Sequence, residues 1–255
     1  MGTAPPVLVV SDLHLDQEPD STLSEFLRFL DGPVRGASAL YILGDLFDYW
    51  VGDDAGFAAA EQLADAISAL SLPVTFQHGN RDFLLGNGYA ERAGMKLAPE
   101  VLPVEFEIGD ALLMHGDSLC TADTDYLRFR DTVRRPEWQQ AFLARPLDER
   151  VAEAERLRGI SRGAGQMKAS DITDVHPDAV AEVLRRHDRS LLIHGHTHRP
   201  AIHHFQVDGR PCRRCVLPAW DRVPGYLAVD GHGLHLLTLD GRDYPVASGL
   251  PSSPA

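Results

Sequence analysis

Five times in this chain a short, β-prone run ends in Asp, Asn or His. Val7 to Val10 leads into Ser11-Asp12-Leu13-His14, and Ala39 to Leu43 into Gly44-Asp45-Leu46-Phe47-Asp48. Val74 to Phe76 leads to His78-Gly79-Asn80-Arg81-Asp82, Ala111 to Met114 to His115-Gly116-Asp117, and Leu191 to Ile193 to His194-Gly195-His196-Thr197-His198. Runs this short, with little polar alternation, suit strands buried on both faces. Helical patterns separate them. Asp20 or Ser21 can cap a helix with Leu23, Phe26, Leu27 and Leu30 inward. Phe57 to Leu70 repeats the pattern, and Pro177 opens another helix through Val183 and Leu184. Alternating strand and helix predict an α/β fold, in which side chains that do chemistry gather at the carboxyl ends of strands. After Pro200, strands around Ile202–Val207, Val216–Pro218, Tyr226–Val229 and Leu234–Thr238 are expected to form a second, antiparallel sheet.

The strand ends carry ligand chemistry. Asp12 and His14 are two apart and point the same way on an extended chain, so they offer an oxygen and a nitrogen to one ion. Asp45 has two oxygens to share between two ions. Asn80 can ligate through its amide oxygen, and Arg81 presents a fork of donors for phosphate oxygens. Gly195 permits a sharp turn or a close approach between three imidazoles. Each piece alone also fits a plain surface turn, a solvated His-rich loop or a surface Arg–Asp pair; it is the recurrence that favours ligands. Asp48 suits orienting a ligand or starting a helix, and His194 a structural or supporting place.

A net charge of −13 argues against a general nucleic-acid binder. No apolar run reaches the length of a transmembrane helix. The opening M-G-T-A-P-P lacks the basic and apolar regions of a secretory signal, so a cytoplasmic protein is expected. Cys212 and Cys215 form a lone C-x-x-C, a weak sign of zinc or redox work. Residues 1–240 read as one domain, with a helical insertion at about 122–168 and a disordered Pro- and Ser-rich tail over 241–255. The insertion shows no strand pattern and is punctuated by Pro136 and Pro146. From Tyr126 to Ser170 it holds ten basic residues against six acidic ones. Either it is a solvated helical face, or it is a lid for an anionic ligand or a membrane surface. No candidate ligand falls within 126–166, so the insertion is expected to be separable from the metal site.

In this order the set resembles the calcineurin-like metallophosphoesterases, over nearly the whole chain. The resemblance implies a β-sandwich flanked by helices, with a helical lid insertion. It implies two divalent ions, one on Asp12, His14, Asp45 and His198, the other on Asp45, Asn80, His115 and His196. Oxygen and imidazole ligands without thiolate suit Mn²⁺, or Fe or Zn. Two ions about 3.5–4 Å apart can clamp a phosphoryl group and acidify water near neutral pH. Most members have His where this chain has Arg81. Arginine is a poor proton donor, yet it can neutralise charge on phosphate oxygens. A phosphate leaving group needs less protonation than an alkoxide, which points to pyrophosphate cleavage with Asn80 and Arg81 as catalytic groups. G-N-R-D, the insertion and I-H-G-H-T-H-R-P resemble the branch that hydrolyses UDP-2,3-diacylglucosamine in lipid A synthesis. That implies a UDP-lipid substrate, with UMP and the diacylglucosamine 1-phosphate as products. It also implies peripheral attachment to the cytoplasmic face of the inner membrane, and substrate contacts at Asn80, Arg81, Asp123, Ser161, Lys168 and His196. Gly165 stands where that branch's lid carries Asn. Two rivals are a general metal-dependent phosphodiesterase or nucleotide pyrophosphatase, and a non-catalytic scaffold of the same fold. All seven ligand positions are filled, which speaks against the scaffold.

Overall fold

The computed structural model describes residues 4–167 and 172–246, without the side chains of 160–167. Two sheets face each other. From edge to edge the first is β11 (Gly233–Thr238), β10 (Gly225–Asp230), β1 (Val7–Val10), β2 (Ala39–Leu43), β3 (Val74–Gln77) and β4 (Met95–Leu97). The second is β5 (Leu102–Phe106), β6 (Gly109–Met114), β7 (Leu191–His194), β9 (Arg210–Val216) and β8 (Ala201–Val207). Strands β1 to β4 are parallel, as are β6, β7 and β9, and antiparallel strands flank both parallel blocks.

Alternate residues of each central strand face opposite layers, so most are buried and the runs read as nearly continuously apolar. Val9, Leu43, Leu113, Ile193, Cys215 and Leu227 meet between the sheets. Leu8, Val10, Leu40 and Ile42 face outward to α1 (Ser21–Asp31), α2 (Ala58–Ser68) and α3 (Asn87–Arg92). On the far side Leu112, Met114 and Leu192 pack under α7 (Pro177–His187). Asp20 caps α1, its carboxylate accepting the Leu23 N–H at 2.9 Å. The result is an α/β sandwich whose central parallel strands deliver their carboxyl ends to one edge.

The last four strands do not form a sheet of their own. β8 and β9 extend the second sheet, whereas β10 and β11 join the first beside β1. Arg213 and Arg214 interrupt the apolar pattern in the middle of β9, which hid all but its end at Val216. Cys212 is buried under α7 and Cys215 between the sheets, so the C-x-x-C spans two separate cores and offers no paired site. Residues 241–246, expected to begin a disordered tail, turn back on β11. Asp243 bridges to Leu237, and Tyr244 donates its N–H to the Leu236 carbonyl at 2.9 Å and its hydroxyl to the Val223 carbonyl at 2.8 Å. Residues 247–255 lie outside the described residues.

The insertion comprises α4 (Thr124–Val133), α5 (Pro136–Leu143) and α6 (Leu147–Met167). Its base is joined to the first core: Phe142 is buried there, with Trp138, Leu147 and Val151 packed around it. Arg150, only 3% exposed, fastens the start of α6 by donating to the Val51 carbonyl at 2.5 Å and to both oxygens of Asp54. Among the described residues no helix is long and apolar enough to cross a membrane.

Candidate metal centre

The carboxyl ends of β1, β2, β3, β6 and β7 bring the seven predicted ligand residues to one edge of the sandwich. Backbone conformation does much of the aiming. Among the described residues seven non-glycine positions have left-handed φ, and five of them are Asp12, His14, Asp45, His196 and His198. Such strain clusters where side chains must point in directions a regular strand does not allow. The loops interlock: Asp12 donates its N–H to the Gly44 carbonyl at 3.1 Å, and His14 its N–H to the Asp45 carbonyl at 2.9 Å. Gly195 allows the fifth loop to press onto the first, because a Cβ there would stand 2.2 Å from both Asp12 Oδ2 and Ser11 Oγ.

Two clusters result. In one, His14 Nε2 and His198 Nε2 face each other at 3.2 Å, with Asp12 Oδ1 3.4 Å from His198 Nε2. In the other, Asn80 Oδ1 lies 2.9 Å from His115 Nε2 and 2.9 Å from His196 Nδ1. Asp45 sits between them, with Oδ2 3.9 Å from His14 Nδ1 and Oδ1 3.7 Å from His115 Nε2. His115 Nδ1 is 2.8 Å from the Leu43 carbonyl, the geometry of a donated N–H, which turns Nε2 toward the cluster.

Buried carboxylates and imidazoles that could hold a metal ion meet at this edge. Asp12 and Asp45 are both buried, at 0% and 2% exposed. Burial raises the Asp45 carboxyl above its ordinary value. At His115 burial opposes the charged form, but Asp45, Asp12 and Asp117 outweigh it and lift the imidazole to about 9. Burial lowers His196 to about 4, so its imidazole is neutral and free to ligate. Asp12 Oδ1 and His14 Nδ1 are buried without a hydrogen-bond partner, as donor atoms reserved for an ion would be. Asp12, His14 and His198 form one group whose ligand atoms lie within 4.8 Å of one another, and Asp12, Asp45 and His115 form a second.

Arg81 lies beside the clusters. Its N–H reaches Asp45 Oδ1 at 2.9 Å, Nε is 3.4 Å from Asp45 Oδ2, and Nη1 donates to Asp48 Oδ1 at 2.8 Å. Asp48 also pairs with Arg158 of α6, so it links the strand-end loop to the insertion. His194 stays out of the clusters. It is fully buried, its pKa pushed down to about 3 by that burial, and its Nδ1 lies 2.8 Å from the Gly195 carbonyl. Of the other expected substrate contacts, Asp123 caps α4 by accepting the Tyr126 N–H at 3.1 Å. The side chain of Ser161 and all of Lys168 lie outside the described residues.

The sequence did not mark Asp82, Asp117, Tyr126, Arg130 or Arg134, all of which support the clusters. Asp82 is buried and knits two loops by accepting the Leu46 N–H at 2.7 Å and the Gly79 N–H at 2.8 Å. Burial and the neighbouring Asp45 raise its carboxyl to about 6. The only hint was its place at the end of G-N-R-D. The arginines of α4 carry no spacing signal at all.

Sandwich, interlocked strand ends and paired ligand clusters define a calcineurin-like phosphoesterase, and the chain belongs to that family, whose model matches residues 5–200. Membership makes it a hydrolase dependent on divalent metal. Within the family it belongs with the UDP-2,3-diacylglucosamine hydrolases. It is 50% identical to the enzyme of that name from Aromatoleum aromaticum over 229 residues, 89% of this chain and 94% of that one. It is 47% identical to the Cellvibrio japonicus enzyme and 46% identical to that of Stenotrophomonas maltophilia, each over 91% of this chain and 98% of the relative.

Proposed function

We propose that this chain hydrolyses the pyrophosphate bond of UDP-2,3-diacylglucosamine, releasing UMP and 2,3-diacylglucosamine 1-phosphate. The observation that carries the reading is the convergence of all seven ligand positions, with Arg81 beside them, in a chain 50% identical to a hydrolase of that substrate. Asp12, His14, Asp45 and His198 would hold one ion, and Asp45, Asn80, His115 and His196 the other, with Mn²⁺ best matched to such oxygen and imidazole donors. When bound, such ions supply positive charge to the phosphoryl oxygens and make water acidic enough to serve as nucleophile near neutral pH.

The chain's own residues supply the rest. Arg81 is held by Asp45 at Nε and by Asp48 at Nη1 with a quarter of its side chain exposed, so its remaining guanidinium donors would serve phosphate oxygens at the mouth of the site. Being permanently charged, it favours the more negative transition state without giving up a proton. Asn80 and His196 line the same mouth. The acyl chains fall to the insertion, where Phe129 of α4 and Leu143 of α5 are 40% and 39% exposed among basic residues. That arrangement supports peripheral contact with an anionic membrane, at about 1 kcal/mol per nearby cation and less in salt.

The test is incubation of the purified protein with Mn²⁺ and the UDP-lipid. UMP release that stops with chelator is the expected result. Cleavage of simple phosphodiesters but not of the UDP-lipid would replace the reading with a general phosphodiesterase.

A further inference from the structure

The first helix of the insertion sends side chains into both loops that hold the Asn80 cluster. Arg134, just past the end of α4, donates from Nη2 to the Gly79 carbonyl at 2.7 Å, and its guanidinium lies 5.1 Å from the centre of the Phe83 ring. The residue after Gly79 is Asn80. One turn earlier, Arg130 donates from Nε to Asp117 Oδ2 at 2.8 Å and pairs with Glu100 at 2.5 Å. A further turn back, Tyr126 donates its hydroxyl to the same Asp117 oxygen at 2.5 Å, and its ring stacks on His196 with centroids 6.1 Å apart. Asp117 is buried two residues beyond His115, across the left-handed Gly116. Thus α4 touches His196 itself and the immediate surroundings of Asn80 and His115. Among the described residues, the hydrogen bonds, ion pairs and ring contacts of Tyr126, Arg130 and Arg134 do not reach Asp12, His14 or His198.

We propose that Arg134, with Arg130 beside it, is a positioning residue for the Asn80–His115–His196 half of the centre, so that these two arginines set the affinity for one ion and not for the other. This rests on the two-ion reading above but not on the identity of the substrate. Gly79 has no side chain to fix its own peptide plane. The Arg134 guanidinium holds that carbonyl, and with it the direction in which Asn80 leaves the backbone. Without the guanidinium the plane can rotate, and the Asn80 oxygen loses its place between the two imidazoles. Groups that orient ligands in this way change metal affinity roughly 10–100-fold. Residues 126–166 contain none of the candidate metal ligands, yet on this proposal Arg130 and Arg134 hold the loops that do, so replacing the insertion would disturb one half of the centre.

The test uses Mn²⁺ alone, titrated into metal-free wild-type protein, Arg134→Met and Arg134→Lys, with free Mn²⁺ read by electron paramagnetic resonance. Methionine keeps a stem over Phe83, and lysine keeps the charge and a donor. Wild type should bind two ions. Arg134→Met should keep the first at unchanged affinity and bind the second roughly 10–100-fold more weakly, with Arg134→Lys between the two. If the methionine variant fails to fold, the lysine variant decides by the same split at smaller size. Two ions bound as in wild type, or both weakened equally, would overturn the proposal alone. A wild-type protein that holds fewer than two ions would remove the two-ion reading and the proposal together.

Discussion

Asp45 holds Arg81 twice, accepting its backbone N–H at Oδ1 at 2.9 Å and standing 3.4 Å from its Nε through Oδ2. The residue proposed to share its oxygens between two ions thus also fixes the group proposed to face the phosphate. Removing the guanidinium should leave the clusters intact and cost transition-state stabilisation on the order of 2–4 kcal/mol, roughly 10²–10³ in rate. Arg81→Ala should therefore show normal metal content and a kcat lowered by that factor. Lysine should recover only part of it, lacking the planar fork. Wild-type turnover by Arg81→Ala on the UDP-lipid would remove Arg81 from catalysis.

Asp45→Asn should weaken both ions together, because one carboxylate faces both clusters. Strand β2 has its own packing, so the fold should survive. Ions that bind only the native state stabilise it, by about 2.7 kcal/mol per site at 100 times Kd. Wild-type protein should thus melt at a higher temperature with Mn²⁺ than with chelator, and Asp45→Asn should lose that difference. An unchanged Mn²⁺-dependent shift in the variant would contradict the bridging place of Asp45.

Gly79→Ala should be costly although alanine adds one methyl. A Cβ there would stand 2.1 Å from Asp45 Oδ1 and 2.3 Å from its backbone nitrogen, so the loops must part. Overpacking of this kind costs about 1–3 kcal/mol. The denaturation midpoint should fall and metal content should fall with it. Stability and metal content both equal to wild type would show that the loops have slack.

The three cysteines should be inert in the native protein. Burial lifts the thiols of Cys120 and Cys215 to about 12, and all three side chains are buried. Iodoacetamide at pH 8 should label none of them until denaturant is added, after which it should label three. Fast labelling of Cys212 or Cys215 without denaturant would restore a working role to the C-x-x-C.

The polar side chains that converge at this edge of the sandwich could be read from the sequence because each follows a short, largely buried apolar run. Gly195 beside them signalled a close approach between loops, whereas the tight packing of Gly44 against Gly79 and of Gly79 against Asp45 emerged only in the fold. Nothing local announced Arg134 or Arg130. Their partners Gly79 and Asp117 lie 55 and 13 residues away, and a basic helical surface looks the same whether it meets water or a buried carbonyl. The sheet order was misread for a related reason: β9 carries Arg213 and Arg214 in its centre, and only pairing with β7 and β8 makes it a strand. The insertion was visible as a change of pattern, but its anchoring through Arg150 and Phe142 depends on tertiary packing.

The most direct test of the account is hydrolysis of UDP-2,3-diacylglucosamine in ¹⁸O-water with Mn²⁺, followed by mass spectrometry of both products. One ¹⁸O atom should appear in UMP and none in the diacylglucosamine 1-phosphate, and Asp45→Asn should form neither product. Label in the lipid phosphate would place water attack on the other phosphorus, and no cleavage of the UDP-lipid at all would contradict the account.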